Sequence, residues 1–238
     1  MNRRGAVSVV LFVLALLLAL IILLGLVVAR GLAAYAHRLG PADLVTLTRA
    51  TLVCAVTALV AVPTPATTLG RQTATLLVPI TVVALLLDAV DGRVARATGT
   101  SSAFGARFDM EVDAFLILVL SVHVAPAYGW WVLAIGAARY AYGAAGRVWP
   151  WLLGPLPPRY WRKVVAAVQG IVLTAAAADV LPRPMTYAAL VAAAALLAES
   201  FGRDVVWTWP RREGRLADAT VNPAALATVP PGDDGSDP

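Results

Sequence analysis

The feature that most constrains this chain is a series of apolar blocks long enough to cross a bilayer, separated by short polar stretches. The first, Ala6 to Ala29, reads AVSVVLFVLALLLALIILLGLVVA. At about 1.5 Å per helical residue it reaches roughly 36 Å, against a hydrocarbon core of about 30 Å. Six more follow, at about 44–62, 73–96, 107–124, 131–145, 164–180 and 185–201 or slightly beyond. One water-soluble core cannot take them. Hydrophobic residues make up 60% of the chain and charged residues 14%, with a mean hydropathy of +0.77, whereas a soluble domain is about half apolar and a quarter charged. The expected fold is all-α: a polytopic transmembrane helical bundle, with a six-helix core behind one extra N-terminal hydrophobic helix.

The expected organisation is an N-terminal hydrophobic helix and connector over 1–40, a membrane domain over 41–209 and a disordered cytoplasmic tail over 210–238. MNRR resembles the start of a signal peptide, but the apolar region behind it is too long for one. An uncleaved segment is expected, either spanning the bilayer or lying re-entrant or interfacial. Pro126 and Gly129 are expected to end the helix before Trp130. The +5 net charge sits mainly in the loops at 30–43, 93–108 and 146–163 and in the tail, which the positive-inside rule places in the cytoplasm. Arg3 and Arg4 disagree with seven spans and an internal C-terminus; a non-spanning first block would remove the conflict. The basic excess faces anionic headgroups, and no nucleic-acid partner is expected. A single cysteine, Cys54, excludes an intrachain disulfide, and no Cys/His metal spacing occurs.

Carboxylates inside spans are costly and mark function. Asp88 and Asp91 close one block, while Asp109 and Asp113 open the next. The loop between them returns the chain to the same membrane face, so both pairs lie at one depth. Spacings of i, i+3 and i, i+4 put each pair on one helix face, about 5–6 Å apart. Four such carboxylates repel unless cations or protons intervene. Oxygen-only ligands suit hard divalent ions, Mg²⁺ or Mn²⁺, and two ions bridged by carboxylates suit a phosphate-containing substrate. Gly92 permits close approach to the backbone, and Arg96 offers a fork for phosphate oxygens. The alternative is a transporter or proton relay, or a buried ion-pair network, built on the same carboxylates.

The wider spacing is more specific. From Asp88 the chain reads DAVDGRVARATGTSSAFGARFDMEVD, or D-x2-D-G-x2-A-R-x8-G-x3-D-x3-D. This resembles the signature of the CDP-alcohol phosphatidyltransferases, integral membrane enzymes that make phospholipid headgroups. The resemblance covers roughly Pro41 to Gly202. It implies transfer of a phosphatidyl group from CDP-diacylglycerol to a small alcohol, with release of CMP, at a plasma-membrane site facing the cytoplasm. It further implies two divalent ions held by Asp88, Asp91, Asp109 and Asp113, with Asp113 also the general base. Gly92, Ala95, Arg96, Ser102 and Gly105 would bind the cytidine donor. Asp43 and Thr46, in D-L-V-T, resemble the segment that closes over the nucleotide. A homodimer is implied at the same level.

For the acceptor, the family pattern points to basic residues at later cytoplasmic helix ends, here Arg139, Arg159, Arg162 and Lys163. These place phosphorylated polyols ahead of other alcohols; Arg159, Arg162 and Lys163 serve equally as a positive-inside anchor, whereas Arg139, costly to leave unpaired within an apolar span, is read as functional. Gln169 is expected to bond a neighbouring helix, and Glu111 to face the polar side.

Overall fold

The computed structural model describes Gly25 and residues 41–61, 68–98, 103–154 and 160–209, with backbone alone at 41–44, 68–74, 91–98, 103–104, 153 and 160. Six α-helices occur among the described residues: α1 (Pro41–Val60), α2 (Thr68–Thr98), α3 (Ala103–Tyr128), α4 (Leu133–Val148), α5 (Tyr160–Ala178) and α6 (Arg183–Thr208). Short 3₁₀ turns at Trp130–Val132 and Pro150–Leu153 flank α4, and no strand occurs among the described residues. The all-α bundle expected from the apolar blocks is what forms. Three segments, Gly105–Tyr128, Trp161–Ala178 and Arg183–Thr208, are long and apolar enough to cross a membrane, and Val45–Val60 and Thr75–Val90 are shorter apolar helices. The first hydrophobic block and the C-terminal tail lie outside the described residues.

Helix α3 holds the centre. It packs against α1, α4 and α5, while α2 lies across α1 and α5, and α6 closes on α5 and on the end of α4. Val56, Leu77, Leu116, Leu120, Leu173 and Leu190 are almost wholly enclosed between these helices. The buried face of α1 carries Thr46, Arg49, Ala50, Val53 and Val56, at the spacing of one helical stripe. An arginine therefore sits in the middle of an otherwise apolar or small-residue seam. By contrast, Leu76, Val83, Leu86 and Val90 of α2 point outward, as a lipid-facing helix surface requires.

Two features govern how the helices meet. At Gly136 of α4, a Cβ would lie 2.5 Å from the Leu118 Cα and 2.9 Å from Ser121 Oγ. Only glycine lets α3 and α4 approach so closely, the small-residue packing typical of membrane helices. The second feature corrects an expectation. Pro126 does not end α3, which continues to Tyr128. A proline withholds only its own N–H, and the next turn still closes, with the Gly129 N–H donating to the Ala125 carbonyl at 2.8 Å. The break falls at Gly129 alone, whose φ of 108° is one that side-chain-bearing residues rarely adopt.

Helix α6 also runs past Phe201 to Thr208. Its extra turns are held by Asp204, which is buried and receives two N–H groups from Arg162 of α5. Gln169 behaves as expected, donating through Nε2 to the Ala193 carbonyl of α6 at 2.8 Å.

Candidate active site

Asp88 near the end of α2 and Asp109 and Asp113 near the start of α3 come together as the motif requires. One carboxylate oxygen from each lies within 4.8 Å of the others. Asp109 and Asp113 stand one turn apart on α3, and the α2–α3 connection brings Asp88 to their level. The three side chains are 38%, 34% and 31% exposed, so the cluster opens to one side of the bundle.

The closed side is filled by Arg49 of α1, whose side chain is 0% exposed. Its Nη1 donates to Asp88 Oδ1 at 2.5 Å. Its Nη2 pairs with Asp109 Oδ1 at 2.7 Å and Asp113 Oδ1 at 2.9 Å, and also donates to the Asp109 carbonyl at 3.2 Å. One guanidinium thus binds three carboxylates from two helices. This is the planar fork for which arginine differs from lysine. Its Nε is buried and has no hydrogen-bond partner among the described residues. Burying a cation costs several kcal/mol on the order of magnitude expected in proteins unless opposite charges compensate. Here three carboxylates do so, and the charge balance still leaves the cluster negative.

Arg49 lies outside the motif yet contacts three of its carboxylates. A signal for it exists: between Asp43 and Arg71 it is the only charged residue, inside an apolar helix, where an ionised side chain needs a carboxylate partner.

The remaining residues of the motif are only partly described. Asp91, Gly92, Ala95 and Arg96 continue α2, with their side chains outside the described residues. Gly105 lies in the first turn of α3. Thr46 is buried one turn before Arg49, and Asp43 stands in the first turn of α1, described as backbone only. Ser102 and Arg159 lie outside the described residues.

Among the described residues, two of the basic residues assigned to an acceptor have separate acidic partners. Arg139 on α4 pairs through Nη2 with Glu111 Oε1 at 2.7 Å. Glu111 lies two residues from both Asp109 and Asp113, about 200° around α3, while Arg139 stays within electrostatic reach of Asp113. Arg162 pairs with Asp204 at 2.8 Å, and Lys163 is exposed. Glu199, beside Asp204 on α6, accepts from Trp161 Nε1 at 3.0 Å and pairs with Arg203. The acidic partners Asp204 and Glu199 are not evident in the sequence, because they fall in a stretch that reads as the end of a span.

The donor set meets the test for a hard divalent cation. Three carboxylates converge, all from oxygen ligands, with no sulfur or imidazole among them. The family profile for CDP-alcohol phosphatidyltransferase matches residues 39–199. The chain belongs to the CDP-alcohol phosphatidyltransferase family. That family consists of transferases that use divalent metals, and the apolar helices agree with an integral membrane protein. Comparison with curated proteins and with solved structures returned no match.

Proposed function

We propose that the protein transfers the phosphatidyl group of CDP-diacylglycerol to a small alcohol and releases CMP. The observation that carries this reading is the convergence of Asp88, Asp109 and Asp113 at the junction of α2 and α3, inside the residues matched by the family. In this reading Asp88, Asp91, Asp109 and Asp113 hold two Mg²⁺ or Mn²⁺ ions. When bound, the ions supply positive charge that offsets the diphosphate and the charge developing on the leaving phosphate.

The chain's own groups do the rest. An Asp113 carboxylate oxygen takes the proton of the acceptor hydroxyl as the acceptor's own oxygen attacks the β-phosphorus and the bond to CMP breaks. Asp113 suits this role because it is the innermost motif carboxylate along α3 and is still partly open, at 31% exposure. Arg96 bears on phosphate oxygens, and Gly92, Ala95, Ser102 and Gly105 border the cytidine, with Asp43 and Thr46 covering it from α1. Arg139, Arg159, Arg162 and Lys163 are the basic residues assigned to the acceptor, which favours a phosphorylated polyol; to bind it, Arg139 and Arg162 would have to share or leave Glu111 and Asp204. The distribution of arginines supports a site facing the cytoplasm, and the plasma membrane is its proposed location. Residues 41–209 would form the catalytic membrane domain.

The test uses purified full-length protein in lipid or detergent with CDP-diacylglycerol, Mg²⁺ or Mn²⁺ and a panel of alcohols that includes phosphorylated polyols. CMP and the lipid product are followed by mass spectrometry. Metal-dependent CMP release with one acceptor is the expected result and names the acceptor. Absence of CMP across the panel, together with absence of cytidine nucleotide binding, would overturn the reading.

A further inference from the structure

Arg49 takes no part in the reaction as described above, yet it contacts more of the site than any other described side chain. Its guanidinium rests on Asp88 Oδ1, Asp109 Oδ1 and Asp113 Oδ1. These are oxygens of the same three carboxylates whose convergence suits a divalent ion. The side chain is 0% exposed, so it cannot exchange the carboxylates for water. A divalent ion arriving at the cluster meets a fixed positive charge a few ångströms away and finds lone pairs already taken by N–H donors.

We propose that Arg49 is a built-in counter-cation that holds the three carboxylates together without metal and weakens metal binding by competing for them. Such a residue does two things. It keeps like charges from driving α2 and α3 apart when no ion is bound. It also couples α1 to metal loading, because whatever the ion withdraws from Arg49 is withdrawn from the tie between α1 and the two motif helices. By linkage, a ligand that displaces Arg49 from the carboxylates would change metal affinity by the same factor as the metal changes that ligand's affinity. This inference rests on the metal-site part of the proposed function, but not on turnover.

The direction of the effect separates competition from a purely structural role. If Arg49 merely supported the fold, removing it would loosen the carboxylates and weaken metal binding. If it competes, removal tightens binding. The experiment measures Mn²⁺ affinity by electron paramagnetic resonance on the purified full chain without substrate, alongside thermal unfolding with and without Mn²⁺. For Arg49→Met the expected result is a lower unfolding temperature in the absence of metal, and Mn²⁺ binding tighter by about tenfold or more, the least expected from removing a nearby unit charge even where water screens it. The Mn²⁺-induced rise in unfolding temperature should exceed that of the unaltered protein.

Arg49→Lys keeps the charge but lacks the fork, and should fall between the two. Arg147→Met, which removes an exposed charge at the end of α4, should leave the affinity unchanged. Mn²⁺ binding that is unchanged or weaker in folded Arg49→Met overturns the inference, as does equal tightening in Arg147→Met. Should Arg49→Met fail to fold, Arg49→Lys decides, and binding no tighter than in the unaltered protein overturns the inference. Absence of Mn²⁺ binding in every form overturns it together with the metal site. Mn²⁺ binding with the predicted order, but no CMP release, leaves it standing and removes the phosphotransferase reading alone.

Discussion

Gly136 of α4 faces the backbone of Leu118 in α3, and a methyl group at 136 would come within 2.5 Å of the Leu118 Cα. Backbone atoms cannot rotate away as a side chain can. Gly136→Ala should therefore force the two helices apart and destabilise the protein by about 1–3 kcal/mol, the usual range for overpacking. Gly170→Ala is the control, because its Cβ would meet only the Leu85 side chain, with Cδ2 at 2.9 Å, the tip of a side chain that can turn. Thermal unfolding in detergent should show a large loss for Gly136→Ala and a small one for Gly170→Ala. Equal losses would mean that α3 and α4 do not meet as described.

The Arg162–Asp204 pair predicts an asymmetry. The Asp204 side chain is 8% exposed and that of Arg162 31%. After loss of Asp204, Arg162 can still turn its head toward water, as long basic side chains do. After loss of Arg162, the buried Asp204 carboxylate has no such escape. Arg162→Met should thus cost more stability than Asp204→Asn, by about 1–3 kcal/mol for an ionised group left without its hydrogen bonds. The double variant should recover part of that loss. Unfolding temperatures of the three variants decide it, and the reverse order would remove Asp204 as the anchor of the last turns of α6.

How much of this was legible in the sequence depends on range. The apolar blocks and the spacing of Asp88, Asp109 and Asp113 are local patterns, and each survives into the structure as a helix or as a cluster of carboxylates. Arg49 was not found, because its partners lie 39 to 64 residues away along the chain and no local period connects them. Only the cost of an isolated charge in an apolar helix points to it. Pro126 misled for the opposite reason. Its local rule is sound in a helix interior, but within the last turn there is little helix left to break, and Gly129 supplies the turn. Asp204 was hidden by the apparent end of the last block. Its pairing with Arg162 is a contact between helices that composition along one segment cannot register.

Gln169 offers a test of buried polarity. It is 1% exposed, gives its amide N–H to the Ala193 carbonyl, and leaves Oε1 without a hydrogen-bond partner among the described residues. Gln169→Leu loses one interhelical hydrogen bond, worth about 0.6 kcal/mol on average in a membrane protein, and also removes an unsatisfied carbonyl. The net change in unfolding temperature should be small. Gln169→Glu replaces the donor with a carboxylate facing the Ala193 carbonyl, and should be the more damaging of the two. A large loss for Leu and none for Glu would contradict the bond between α5 and α6.

Asp113→Asn isolates the proposed base. Asp113 Oδ1 accepts from Arg49 Nη2 at 2.9 Å, and an asparagine carbonyl oxygen can keep accepting that hydrogen bond with nearly the same shape. What it cannot do is take a proton from the acceptor hydroxyl. Turnover should fall by about 10²–10⁴, the usual contribution of a positioned general base, while binding of CDP-diacylglycerol changes only a few-fold. Asp91→Asn should instead raise the Mn²⁺ or Mg²⁺ concentration needed for half-maximal CMP release, because its assigned role is to hold the ions. Steady-state CMP release across a metal titration, with donor binding measured separately, distinguishes the two. Full activity in Asp113→Asn would remove it as the base. A loss confined to donor binding would make it part of the cytidine diphosphate site instead.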